Sequence, residues 1–184
     1  TTDAAGSRDN TPVVLTGSAD GTVTYGNDSV TVDASHTEEG YLMVSYSGSN
    51  SKVKLQITGS DEITYTYNLH DGYETFPLTS GSGSYTVGVF ENIEGTSYST
   101  LFTQAIDVTI QDEFGPYLYA NQYVNFSADS KVISKAMELS ASANDDLEVI
   151  ENVYNYIITN FTYDYDKAAS VQSGYLPDVD DVLA

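Results

Sequence analysis

Two neighbouring runs constrain this chain more than any other feature. In the stretch 52–57 the apolar residues Val53, Leu55 and Ile57 alternate strictly with Lys52, Lys54 and Gln56. A period of two places the first set on one face of a β-strand and the second set on the other. The stretch 63–69 repeats the pattern, with Ile63, Tyr65, Tyr67 and Leu69 opposite Thr64, Thr66 and Asn68. Gly59, Ser60 and Asp61 lie between the runs and supply a turn, so the two strands are expected to pair antiparallel. A sheet that is apolar on one side only must bury that side against a second layer.

The same grammar extends from Val13 to Gln111, as short alternating runs with turn residues about every ten positions. Val23 and Tyr25 lead into Gly26, Asn27 and Asp28, after which Val30 and Val32 resume, which reads as a hairpin. Residues 41–46 form a more continuous apolar strand, and 48–51 turn the chain. Tyr73 to Leu78, then Tyr85, Val87 and Val89, then Ile106, Val108 and Ile110 complete seven to eight candidate strands. Glu91 to Thr96 reads as a turn between the last two. The expected fold is an immunoglobulin- or fibronectin-like β-sandwich over residues 12–112.

Residues 1–11 are small and polar. They are expected to be a flexible tail, a linker left after removal of an export signal. At Asp112-Glu113-Phe114-Gly115-Pro116 the grammar changes, and a domain boundary is placed there, with a second region at 113–184. Tyr117, Leu118, Tyr119 and Tyr123 form an aromatic patch that reads as the seam between the two regions. Ser130 to Ala141 has helical spacing, with Val132, Ala136 and Leu139 on one side and Ile133 and Met137 adjacent. Asp145 then stands three residues before Glu148, the spacing of a capping box. A second helix is expected to follow, with a broad buried stripe of Leu147, Ile150, Val153, Tyr154, Ile157, Ile158 and Phe161. The stripe is expected to pack on Val132, Ala136, Leu139 and the aromatic seam, or on a second copy of the chain. Tyr163 to Asp166 reads as extended chain and turn. Residues 180–184 read as the start of a helix capped by an aspartate.

Charge excludes some functions. The chain has 27 acidic residues against 6 Lys and Arg, a formal net charge of −21. Its five Lys and its single Arg, Arg8, form no basic cluster, so neither nucleic acid nor anionic lipid is an expected partner. No apolar run reaches the length of a membrane span, so direct insertion is not expected. Cysteine is absent from all 184 residues, which removes disulfides, Cys-ligated metal and a thiol nucleophile.

The remaining site-like features are weak. Tyr163, Asp164, Tyr165 and Asp166 offer alternate carboxylates, yet Lys167, Ala168 and Ala169 provide neither the turn glycine nor the closing glutamate of a calcium loop. Asp178, Asp180 and Asp181 do no better. His36 and His70 lie in turn-like segments with no second ligand or nucleophile beside them and read as surface residues. Carboxylate pairs are too numerous here to single out glycosidase chemistry. Tyrosine-rich strands can form sugar-stacking faces, but Tyr65 and Tyr67 share a face with Ile63 and Leu69 and read as core. Three sequons, at Asn27, Asn125 and Asn160, carry little weight, since Asn160 ends a helix. No catalytic, cofactor or metal residue is expected within the chain, and no cofactor.

The C-terminal succession is more specific as a set. A Val-, Ile- and Tyr-rich helix (148–160) is followed by Phe161-Thr162-Tyr163-Asp164-Tyr165-Asp166-Lys167-Ala168, by Ser173-Gly174-Tyr175-Leu176-Pro177-Asp178 and by Val182-Leu183-Ala184. This series resembles the opening of a transglutaminase-like domain, of the papain-like cysteine acyltransferase and protease superfamily, in the form found in exported proteins of Gram-positive bacteria. It covers about a third of the chain. In that family the segment matching 178–184 leads toward a helix bearing the catalytic cysteine, with the histidine and aspartate following later. The resemblance therefore implies a mainly β chain with a C-terminal α part. Its sandwich is followed by two helices that begin a transglutaminase-like α+β core, truncated before the Cys-His-Asp triad. The intact protein would then act on glutamine amides or peptide bonds of cell-wall or surface proteins. It would be extracellular or held at the cell surface by a lipid or wall anchor. Self-association through the helix bearing Leu147, Ile150, Tyr154 and Ile157 is a further expectation. Against this stands a different class, an extracellular β-sandwich that binds, adheres or spaces without enzymatic role.

Overall fold

Alternation dominates the computed structural model, which describes residues 8–183. Eight strands run in order: β1 (Thr24–Gly26), β2 (Val30–Asp33), β3 (Tyr41–Tyr46), β4 (Val53–Thr58), β5 (Thr64–Leu69), β6 (Gly72–Pro77), β7 (Gly83–Glu94) and β8 (Ser97–Val108). They form two four-stranded sheets, β1-β2-β3-β6 and β5-β4-β7-β8, with every named pair antiparallel. The inner faces of both sheets share one core, including Val32, Leu42 and Phe76 from the first and Leu55, Tyr67, Val87 and Ile106 from the second. The arrangement is sandwich-like and mainly β.

The two runs that constrain the fold pair as expected, with Val53 opposite Leu69, Leu55 opposite Tyr67 and Ile57 opposite Tyr65. Tyr67 and Leu69 are buried, but Tyr65 is 43% exposed and Ile63 50%. The core reading of Tyr65 is thus corrected. It sits at the hairpin end of an edge strand, where a neighbouring strand is lacking on one side. The first hairpin turns where expected, and Asn27 fixes it by accepting the Ser29 and Val30 backbone N–H groups through Oδ1. The turn expected over 91–96 is shorter. Strands β7 and β8 continue to Glu94 and from Ser97, with Gly95 at φ 56° between them.

Tyr85 ties the corner between β6 and β7. Its ring is buried, and its hydroxyl donates to the carbonyls of Gly81 at 2.7 Å and Leu78 at 3.0 Å. On the outer side of the first sheet, Tyr41 packs against Tyr119, with ring centroids 4.5 Å apart, and residue 15 forms an isolated parallel bridge with Tyr119. The sandwich unit accordingly spans Leu15–Gln122. Within the aromatic patch, Tyr119 belongs to this packing, while Tyr117 and Leu118 are exposed.

The other unit comprises Tyr123–Ala184 with the stretch up to Val14. It holds α1 (Lys131–Ser140), α2 (Asp146–Asn160) and α3 (Tyr165–Ser170), and a short 3-10 turn at Asp181–Leu183. Residues 1–7 of the expected tail lie outside the described residues, as does Ala184. Of the rest of that tail, Arg8 bonds Asp146 at 2.7 Å and Asn10 donates to the Ala143 carbonyl. The cap of α2 is as expected on one arm, where Asp145 Oδ1 accepts the Glu148 N–H at 2.9 Å. On the other arm Glu148 accepts the N–H of Asn144 instead of that of Asp145. The stretch Tyr163 to Asp166, expected as extended chain and turn, instead enters a short helix at Tyr165. Asp164 accepts the Lys167 N–H and so becomes the N-cap of α3.

Candidate functional site

The helical unit contains an apolar groove. Its walls are α1, through Val132, Ala136 and Leu139; α2, through Val153, Tyr156 and Ile157; and the closing segment, through Val179, Val182 and Leu183. The cavity measures about 450 Å³. Lys135 crosses its rim, where its Nζ lies 4.9 Å from the centre of the Tyr156 ring and 2.6 Å from Glu138. The third wall is held by Asp180, whose carboxylate accepts the backbone N–H groups of Lys131 and Val132 at the start of α1. Ser130, the local N-cap residue, makes no side-chain cap bond, so the helix takes its cap from the chain's far end.

How α2 sits decides what this unit can do. Val149, Asn152, Val153 and Tyr156 are half-buried, and Asn152 donates to the Leu139 carbonyl of α1. At 3.6 residues per turn these positions share one face. Leu147, Ile150, Tyr154 and Ile158 occupy the adjoining face and are 75%, 62%, 61% and 58% exposed, and Ile157 at the border is also exposed. The expected buried stripe is therefore corrected. The helix is apolar over more than half its circumference, and α1 covers only the part centred on Val149 and Val153. Val132, Ala136 and Leu139 do face α2, but they meet its Val153 and Tyr156 side. Five large apolar side chains on one exposed face mark an interaction surface more readily than scattered single residues would.

Three of the five carboxylates that the sequence singles out accept backbone N–H groups. Asp164 caps α3, Asp178 accepts the Asp180 N–H at 2.9 Å, and Asp180 caps α1. Among the described residues no group of three or more His, Asp or Glu side chains is arranged to hold a metal ion.

His36 is not the simple surface residue expected. Its side chain is only 20% exposed, and its ring stacks on Tyr41. Nε2 lies 2.9 Å from Asp20 Oδ2 and 3.1 Å from Ser18 Oγ, and Nδ1 lies 3.5 Å from Glu39 Oε1. Glu39 in turn accepts the Tyr119 hydroxyl at 2.5 Å. Burial would lower the His36 pKa, but the Asp20 and Glu39 carboxylates outweigh it and raise it above the ordinary histidine value. Burial and Glu39 together push the Tyr119 phenol well up. A serine, a histidine and a carboxylate in sequence suggest nucleophile activation, but the geometry opposes it. A carboxylate on Nε2 holds a proton there, so the ring nitrogen that faces Ser18 has no lone pair with which to take one from its hydroxyl, and Nδ1 faces Glu39 instead. The cluster instead stitches residues 18–20 and 36–39 and Tyr119 together. Sequence reasoning missed it because its members come from turns far apart in the chain. His70 is half exposed and bonds Glu74 through both its backbone N–H and Nδ1.

A scan against protein-family models and searches of curated proteins and of solved structures each give no match.

Proposed function

We propose that the chain is the non-catalytic, N-terminal portion of an exported transglutaminase-like protein. In this reading an immunoglobulin- or fibronectin-like sandwich precedes helices that begin an α+β acyltransferase core. The observation that carries it is the uncovered apolar face of α2. Leu147, Ile150, Tyr154 and Ile158 form a core-like stripe on a helix whose adjoining face is already packed, as suits an element of a larger core. The succession of motifs from Glu148 onward supplies the family resemblance.

The sandwich type has its own support. If β2, β3 and β6 are taken as strands A, B and E, and β5, β4, β7 and β8 as C′, C, F and G, their orders follow those of an immunoglobulin-like sandwich, with β1 added at the edge beside A and no strand in the place of D. Tyr85 then stands near the start of strand F with its hydroxyl bonded to backbone a few residues upstream. That is the placement of the tyrosine corner in such domains.

The chain itself contains no cysteine and so has no thiol to form an acyl-enzyme. A Cys-His-Asp triad elsewhere in the intact protein would attack a glutamine amide or peptide bond of a wall or surface protein. Ammonia, or the amine half of the peptide, would leave as the thioester forms, and an amine or water would then take the acyl group and release the thiol. The test is incorporation of a labelled primary amine into a glutamine-bearing protein. The 184-residue chain should be inert and the product of the full natural reading frame active. An inert full-length product carrying no cysteine would overturn the proposal.

A further inference from the structure

The outer face of the β5-β4-β7-β8 sheet has a composition unlike the rest of this acidic chain. Register places three rows across it: Thr64, Thr58, Thr86 and Ala105; then Thr66, Gln56, Gly88 and Thr103; then Asn68, Lys54, Phe90 and Thr100. None of these positions is Asp or Glu, although the chain holds 27 of them. Cross-strand bonds order the polar groups. Thr58 and Thr64 hydroxyls lie 2.8 Å apart, Gln56 donates to Thr66 at 3.3 Å, and Lys54 donates to Asn68 at 2.5 Å.

Among the three rows the one aromatic ring is Phe90, with the exposed Tyr98 a row beyond it opposite Asn92. Gly88 leaves room for the Phe90 ring, since a Cβ there would stand 2.8 Å from Phe90 Cε2 and 3.0 Å from its Cζ. The half-buried Phe90 ring thus rests over Gly88 beside Gln56, Lys54 and Thr103. High β-propensity accounts for threonine on an outer face, but it does not require a phenyl ring to be seated over a glycine among amides, hydroxyls and the paired Lys54 ammonium.

We propose that this face binds a neutral polysaccharide, with Phe90 as the stacking ring and Gln56, Thr66, Asn68 and Thr103 as its polar contacts. A pyranose presents an apolar C–H face and a rim of hydroxyls that both donate and accept. The phenyl ring matches the first, and amide and threonine side chains, which also do both, match the second. The three rows carry no carboxylate for a neutral ligand to desolvate, Asp107 standing one row outside them opposite Ser84, and the Lys54 ammonium is already paired with Asn68. A flat face of rows suits an extended chain more than a single sugar. The site lies wholly within the sandwich and stands independently of the acyl-transfer reading.

Affinity electrophoresis of the full 184-residue chain tests it, in gels containing laminarin, hydroxyethylcellulose, glycol chitin or mannan, with polygalacturonate as the acidic comparison. At least one neutral polymer should retard the chain, and polygalacturonate should not. Phe90→Ala should weaken that binding by about tenfold or more, and Tyr165→Ala, on the other unit, should leave it unchanged. Because Phe90→Ala also uncovers Gly88, Thr66→Glu on the exposed edge strand provides a second variant, with the same loss expected. Retardation by no neutral polymer, by polygalacturonate alone, or equally for Thr66→Glu and the unaltered chain would overturn the proposal.

Discussion

Asp180 caps a helix that begins 49 residues before it, its carboxylate accepting the Lys131 N–H at 2.9 Å and the Val132 N–H at 3.1 Å. The bond supplies acceptors to otherwise orphaned donors and sets a negative charge at the positive end of α1. It also holds Val179 and Val182 as a wall of the apolar groove. Asp180→Ala should therefore destabilise the helical unit by about 1 kcal/mol. Urea unfolding followed by helical circular dichroism measures this, and Asp181→Ala serves as the comparison. Equal effects of the two substitutions would argue against the cap.

Tyr85→Phe removes only a hydroxyl yet leaves two carbonyls, of Leu78 and Gly81, without that donor. Loss of a buried hydrogen bond should cost about 1–2 kcal/mol and lower the unfolding midpoint of the sandwich. The ring and its packing stay, so the fold should persist.

The His36 cluster predicts a direction for pH dependence. Against the lowering effect of burial, Asp20 and Glu39 raise the pKa of the folded imidazole, with Asp33, Ser18 and Tyr41 completing its surroundings. A raised folded pKa contributes stability that is fully present below the unfolded value of about 6.5 and is lost as pH rises through the folded value. The urea midpoint should fall over that window, and His36→Gln should flatten the dependence. An NMR titration placing His36 at or below the ordinary value would contradict it.

Much of the sandwich is legible in the sequence because period-two alternation specifies which face each residue takes, and one face is buried. Val53, Leu55, Ile57 and Tyr67 behave accordingly. Tyr65 does not, because alternation says nothing of where an edge strand outruns its cover. The Asp145 cap is local and therefore readable; the Asp180 cap is tertiary and therefore not. On α2 the periodic pattern correctly identifies a helix with a broad apolar surface. It cannot say which part of that surface α1 covers, and the covered part proves to be the Val149 and Val153 side. The rows of the outer sheet face escape a linear reading for the same reason, since register brings Gln56, Gly88 and Thr103 together from three strands.

The exposed α2 stripe predicts salt-dependent self-association. Two chains of charge −21 repel, and α2 carries Asp146, Glu148 and Glu151 without a Lys or Arg, so pairing should be weak in dilute buffer. At about 1 M salt, where screening is nearly complete, light scattering should detect dimers at high protein concentration. Ile150→Glu should abolish them with little effect on stability, because the side chain is exposed. A strictly monomeric chain at high salt would contradict this.

If the α2 stripe belongs to an acyltransferase core, further chain must complete that core. The most direct measurement is to read the natural coding sequence beyond the codon for Ala184. The expected result is an open frame that encodes a cysteine on a helix, then a histidine and an aspartate on following strands. A frame that stops there, or continues without a cysteine, would contradict it.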